Sequence, residues 1–428
     1  MRRDNAGPSA PKGRATLALP LAMAFTFWGM GCGVGQTSGE DGQSVDSERP
    51  LRAEQVAKIA AIAGDFLKPE KSTDRPGYII SIIDNEGALY TATSGAANLE
   101  YQQPVTEESV FHIASLSKQI TAAALAHAVL DGKVRLDDQV SKWIPETKKY
   151  GSDLTVAHLV YMTSGLTEYY DVPRSSGQPW VTFDYFNVDE AIAASLSADK
   201  LRFQPGTAWA YSNINYMLLT EIVKKAYGKP FPDIVREKIF VPLGMVRARV
   251  HWDTTTVILN RADAYAPRTT ETIDDLRTYA DIDIGEGTGE ASDPVGEPIS
   301  DWTDNWVLIR RNAPHFGGSG IMTSMAEWRL WLQEGLTQEK LGAPFWAQML
   351  ARQTFQHPKD NDAFGLVHGT FEGRATLWYS GGDIDTSTYS VIYPDDGLAF
   401  ACFANNPDTS CEAKTNDLIR VLIENDAF

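Results

Sequence analysis

Strand-like segments lie near both ends of this chain with a helical stretch between them, and that order restricts the fold more than any other feature. Residues 77–84 and 88–95 read as strands around Asn85-Glu86-Gly87, a hairpin signal. Residues 363–371, 375–380, 386–393 and 398–404 read as four more, with Asp395-Asp396-Gly397 as a turn. Between the two groups, residues 115–250 are mostly helical by their apolar spacing. Residues 55–67 form an amphipathic pattern, 417–424 belong to a terminal helix, and Trp328, Trp331 and Leu332 sit at core spacing on a late helix. The order predicts an α+β fold: one antiparallel sheet built from both chain ends and flanked by helices, with a large helical insertion. The domain would span residues 53–428, its α/β part being 53–114 with 306–428 and its helical part 115–305.

The helical part opens on Ser115-Leu116-Ser117-Lys118. A serine with a lysine three residues on shares one helix face with it. A hydroxyl at a helix N-terminus is favoured as an alkoxide, and a lysine on an apolar helix is pushed towards its neutral form. Such a pair can make a nucleophile without histidine. Ser-x-x-Lys occurs three times, also at Ser9 to Lys12 and Ser197 to Lys200. Only Ser115 precedes a long apolar helix, with Ile120, Ala124, Leu125 and Ala128 at helical spacing and Gly132 as a stop. Ser115 as a simple helix cap and Lys118 as a solvated residue is the alternative.

A second constellation runs from Pro205-Gly206 through Tyr211-Ser212-Asn213. Pro205-Gly206 marks a turn, and Met217, Leu218, Leu219, Ile222 and Val223 begin another apolar helix. Tyr211 and Asn213 therefore stand where a loop enters a helix, a place that presents side chains from a rigid base.

In combination these segments resemble the serine hydrolase superfamily of class C β-lactamases, penicillin-binding proteins, D-aminopeptidases and β-lactamase-like esterases. Phe111-His112-Ile113-Ala114-Ser115, Thr163-Ser164-Gly165-Leu166, Val241-Pro242-Leu243-Gly244-Met245 and Gly317-Gly318-Ser319-Gly320 are similar to its landmarks, in its order. The resemblance implies a β-lactamase/transpeptidase-like fold and no cofactor or metal. It implies an ester or amide hydrolysed through a Ser115 acyl-enzyme. Lys118 and Tyr211 would share acid and base work, either being the base, and Asn213 would orient Lys118 and bind substrate. Ser115 and Gly382 would supply the oxyanion-hole N–H groups.

One motif departs from the pattern. Where the family usually has Lys or His before its third motif, this chain has Tyr379-Ser380-Gly381-Gly382. Tyr379, Ser380 and Gly381 would still border the substrate, but a tyrosine carries no positive charge at neutral pH. A cation there would bind a substrate carboxylate. Its replacement favours esters or amides without that group over β-lactams or cell-wall D-peptides. Arg310, Arg311 and Arg374 are other candidate cations.

Residues 1–32 read as an export signal: a basic leader, an apolar run, then Gly29-Met30-Gly31-Cys32, similar to a lipoprotein cleavage box with Cys32 as the lipidated residue. Residues 33–52 read as a flexible tether. With Cys32 removed from the count, Cys402 and Cys411 either pair or remain thiols. This places the protein outside the cytoplasm, touching the membrane by a lipid anchor only. The net charge is −18, and residues 268–305 hold eleven acidic and two basic side chains. That segment is either a lid or a solvated insertion, and the charge argues against nucleic acid as a partner. No Gly-x-Ser-x-Gly elbow or His-Glu-x-x-His zinc motif occurs, and His112 and His158 read as structural. The partner expected is a small-molecule or peptide acyl substrate. A non-catalytic binding module on the same fold is the contrasting reading.

Overall fold

The computed structural model describes residues 44–172, 187–270, 272, 305–309, 316–355, 362–383 and 385–428. The leader, Cys32, Arg310, Arg311 and nearly all of the acidic segment 268–305 lie outside these residues. The chain divides into two units, 1–50 and 51–428, and the second holds the features that follow.

Six antiparallel strands form the main sheet: β1 (Tyr78–Asp84), β2 (Ala88–Ser94), β3 (Val367–Phe371), β4 (Arg374–Asp383), β5 (Thr386–Tyr393) and β6 (Leu398–Ala404). Their order is β3-β4-β5-β6-β1-β2. The first hairpin thus joins the last meander through one seam, β1 against β6, with Ile80 opposite Cys402 and Ile82 opposite Phe400. The strand reading of the sequence is borne out, and the last two strands have the expected bounds.

Side chains along the strands enter two different cores because successive ones point to opposite faces. Ile79, Ile83, Ala399, Ala401 and Phe403 belong to the larger core, and Ile80, Ile82, Leu398, Phe400 and Cys402 to a second one. Both faces are covered, so β6 is buried at every position and reads as an unbroken apolar run. The second core is closed by α1 (Ser44–Leu67), through Ile59 and Ala63, and by the C-terminal helix α5 (Cys411–Glu424), through Leu418 and Leu422. A Cys402–Cys411 disulfide ties β6 to the start of α5. Helix α1 begins at Ser44, inside the segment read as a tether. Pro50, poorly suited to a helix interior, hid that extension.

The larger core contains α2 (Ser117–Leu130), α3 (Asn213–Tyr227) and α4 (Met325–Thr337). Helix α2 is buried almost all round, which is why its apolar residues fill the sequence instead of forming one stripe. Three of its polar side chains are anchored to neighbouring segments. Thr121 Oγ1 donates to Gly317 O (2.8 Å), Ser117 Oγ accepts from the Ile321 N–H (3.0 Å), and Gln119 Oε1 accepts from Trp331 Nε1 (2.8 Å). Trp328 and Trp331 are fully buried, as their spacing predicted.

Candidate active site

Ser115 does not lie on α2 itself, as the sequence suggested. It sits at the centre of a 3₁₀ turn, Ala114–Leu116, just before the helix. Ala114 adopts φ 45°, a left-handed conformation that costs an L-residue about 1 kcal/mol or more. Thr388 Oγ1 on β5 donates to Ile113 O (3.0 Å), and the Ile113 N–H donates to Ile321 O (3.1 Å). The turn is thus gripped from two sides, and Ser115 is left half-buried at its crest.

Lys118, in the first turn of α2, is fully buried. Its Nζ lies 3.0 Å from Ser115 Oγ, 2.5 Å from Tyr211 OH, 2.8 Å from Asn213 Oδ1 and 2.7 Å from Gly318 O. An ammonium has three hydrogens for these four oxygens. Two of the four, the Asn213 and Gly318 carbonyls, can only accept. A neutral amine fits without conflict: two N–H groups serve the carbonyls and the lone pair faces the two hydroxyls. Burial agrees, lowering the Lys118 pKa from 10.5 to about 7, while the Glu168 carboxylate works the other way.

Tyr211 OH lies 2.5 Å from Ser115 Oγ. Although 38% of the residue is exposed, its hydroxyl is turned inward between Ser115 and Lys118. Desolvation pushes its pKa up to about 12, only partly opposed by the Ser115 hydrogen bond. The hydroxyl therefore stays protonated at neutral pH while the amine titrates there.

The second motif is delivered by backbone pairing to the Thr163–Leu166 turn. Gly206 N–H donates to Thr163 O (2.8 Å), Ala210 N–H to Met162 O (3.0 Å) and Arg202 N–H to Gly165 O (2.7 Å). A side chain at Gly165 would come within 2.2 Å of Phe203 O, so only glycine allows this approach. Asn213 is the first residue of α3, and Ser212, not Asn213, caps the helix by accepting from the Asn215 N–H (3.4 Å).

Sequence reasoning missed Glu168. Its buried carboxylate accepts the Asn213 N–H (2.7 Å) and the Ile214 N–H (3.5 Å), occupying the positive end of α3. Burial raises its pKa and these N–H groups oppose the rise. Nothing local in the sequence marks it, since a lone glutamate after Gly165-Leu166 reads as a surface residue. Gly318 was singled out as part of a glycine-rich helix entry, and its carbonyl holds Lys118. A side chain there would come 2.8 Å from Asn213 Oδ1.

Strand β4 brings Gly381 against the Ala114–Leu116 turn. A Cβ there would lie 2.4 Å from Thr388 Oγ1 and 2.8 Å from Ser115 N. Gly382 follows at an open, exposed position. Tyr379 and Ser380 immediately precede these glycines on the same strand, and burial holds the Tyr379 hydroxyl well above its usual range, neutral. Arg374 supplies no cation to the site: it pairs with Asp396 and donates to Phe428 O (3.0 Å). His158 packs flat on Phe355 and its Nδ1 lies 2.8 Å from Thr155 Oγ1, while His112 Nε2 accepts from the Gly320 N–H (3.3 Å). Both are structural, as expected. Among the described residues, no three His, Cys, Asp or Glu side chains converge to hold a metal.

Residues 56–423 match the model of the Beta-lactamase family. The chain is 33% identical over 167 residues to Penicillin-binding protein 4* of Bacillus subtilis (strain 168), covering 38% of this chain and 35% of that protein. It is 31% identical over 173 residues to a D-aminopeptidase of Gluconobacter oxydans (strain 621H), covering 40% and 32%. It is 32% identical over 206 residues to Esterase EstB of Burkholderia gladioli, covering 45% and 51%. The matched stretches span about a third to a half of these relatives. Among solved structures, D-amino acid amidase from Ochrobactrum anthropi SV3, complexed with D-phenylalanine, superposes with TM-score 0.66 at 19% identity, covering 87% of this chain and 99% of that one. The octameric penicillin-binding protein homologue from Pyrococcus abyssi gives 0.64 at 20% identity, covering 89% and 78%. At such identities the likeness concerns the fold.

Proposed function

The chain belongs to the Beta-lactamase family, and from that membership we propose that it is a serine hydrolase that cleaves an ester or amide through a Ser115 acyl-enzyme. The observation that carries this reading is the cluster of Ser115 Oγ, Lys118 Nζ and Tyr211 OH within 3.0 Å of one another. Neutral Lys118 takes the Ser115 proton as Oγ attacks the carbonyl carbon. The oxyanion is held by the N–H groups of Ser115 and Gly382. Tyr211 gives its proton to the leaving alcohol or amine and regains one from Lys118. Water, deprotonated by the same pair, then cleaves the Ser115 ester.

Tyr379 supports a preference for substrates without an obligatory carboxylate. The rival, a β-lactamase or D-peptidase, draws on the names of several relatives. A panel of nitrophenyl acetate, a chromogenic cephalosporin and D-alanine amides tests the choice. Ester turnover should exceed cephalosporin turnover by about tenfold or more; the reverse order would sink the ester preference.

The basic leader, apolar run and Cys32 support export and lipid anchoring. Metabolic labelling with a fatty acid should mark the protein and disappear in Cys32→Ser. Equal labelling of both forms would exclude this anchor.

A further inference from the structure

A cavity of about 140 Å³ opens beside the nucleophile, between the 160–162 turn, the Trp209–Tyr211 loop, residues 362–367 and β4 at 378–380. Tyr211 belongs both to its wall and to the surroundings of Ser115, and Ser380 in the same wall precedes Gly381, which lies against the Ser115 N–H. Trp209, Tyr216, Trp378 and Tyr379 line it with Met162 and Val367, and Asp362 adds a carboxylate to the wall.

Two of these rings have their polar atoms taken up by other residues of the cavity wall. Trp209 Nε1 donates to Asp362 Oδ2, and Tyr216 OH donates to Val160 O (3.0 Å). Tyr211 OH is held by Ser115 and Lys118. Asp362 contributes a negative potential, which helps to keep the Tyr216 and Tyr379 hydroxyls protonated. An anionic substrate group would be repelled there. An engineered protein cavity of about 150 Å³ with apolar walls takes up benzene, so this volume suits one six-membered ring. Aromatic walls add offset or edge contacts to a ring beyond its burial.

We propose that this cavity is a specificity subsite for a neutral aryl or arylalkyl group, so that the protein prefers esters and amides bearing a single aromatic ring near the scissile carbonyl. This rests on the serine hydrolase reading above and goes beyond it by naming the substrate class.

The test uses the full-length protein and three esters followed by proton release: ethyl acetate, ethyl phenylacetate and ethyl decanoate. Relative kcat/KM should favour phenylacetate over both others by about tenfold or more. Val367→Phe, at the cavity wall and outside the catalytic cluster, should erase at least tenfold of that advantage and leave ethyl acetate turnover near wild type. Val367→Ala, which widens the cavity and keeps the strand, should shift preference towards a naphthylacetate ester. A phenylacetate advantage unchanged by both variants would overturn the proposal, as would its absence in the wild type. Loss of all three activities together with loss of fluorophosphonate labelling would instead count against the serine hydrolase reading.

Discussion

Replacing Ser115 by alanine is expected to remove all covalent labelling by a fluorophosphonate and to lower ester hydrolysis by about 10⁴-fold or more. The size follows from geometry. Ser115 Oγ stands half-buried at the crest of its turn, 3.0 Å from Lys118 Nζ, with Tyr211 OH at 2.5 Å to share its proton. Alanine leaves the 3₁₀ turn intact, because the turn is held by backbone bonds and by Thr388, not by the Ser115 side chain. Thermal unfolding should therefore move by no more than a few degrees. Labelling that persisted in Ser115→Ala would place the nucleophile elsewhere. Retained labelling capacity in the wild type with no turnover of any acyl substrate would favour a binding module.

The second large effect concerns Lys118. Its pKa falls from 10.5 to about 7, chiefly through burial. Activity should therefore climb with unit slope as pH rises towards 7 and then level off, because only the neutral amine accepts the Ser115 proton. Tyr211, raised to about 12, should not add a limb in the neutral range. Lys118→Met should cost about 10³-fold in kcat/KM.

Stability should also rise with pH, but over a higher window. Below pH 7 the folded chain holds a buried ammonium. Between pH 7 and 10.5 the unfolded chain binds a proton that the folded chain does not, so unfolding free energy rises with pH across that window. A shift from 10.5 to about 7 corresponds to about 4 kcal/mol of stability withheld at neutral pH and regained towards pH 10.5. The stability difference between Lys118→Met and wild type, read from urea unfolding, should therefore change by about 3 kcal/mol between pH 7 and 10, to the advantage of wild type at high pH. A difference independent of pH would mean that Lys118 stays charged.

Glu168→Gln sharpens the same measurement. The Glu168 charge holds the proton on Lys118, so removing it should move the acid limb of the rate profile below pH 7. A purely structural role for Glu168 would lower the rate without moving the limb.

Much of this was legible in residue order. The strands at 77–84 and 398–404 announce themselves because both faces are covered, and a buried strand must be apolar at nearly every step. Ser115, Lys118, Tyr211 and Asn213 could be picked out because each stands at the entry to an apolar helix. What stayed hidden depends on distant neighbours. The strain at Ala114, the acceptor carbonyl of Gly318, the carboxylate of Glu168 and the ring-walled cavity have no local periodicity to reveal them. Helix α5 begins at Cys411, six residues before the expected start, because its first turn is anchored by the bond to Cys402 and by the Ser410 cap, not by apolar spacing.

The sequence by itself determined which side chains could do this chemistry and that both chain ends must meet in one sheet. Alternation and helical spacing are local properties, set by where each Cβ points. Only the tertiary structure decided the protonation state of Lys118 beside Ser115. Lys118 is close to neutral because α2 is buried almost all round, and the acceptors Asn213 Oδ1 and Gly318 O and the Glu168 charge, which favour the ammonium, offset that burial only in part. Desolvation is a sum over everything packed round a group, and the residues round Lys118 include Gly318, 200 positions along the chain.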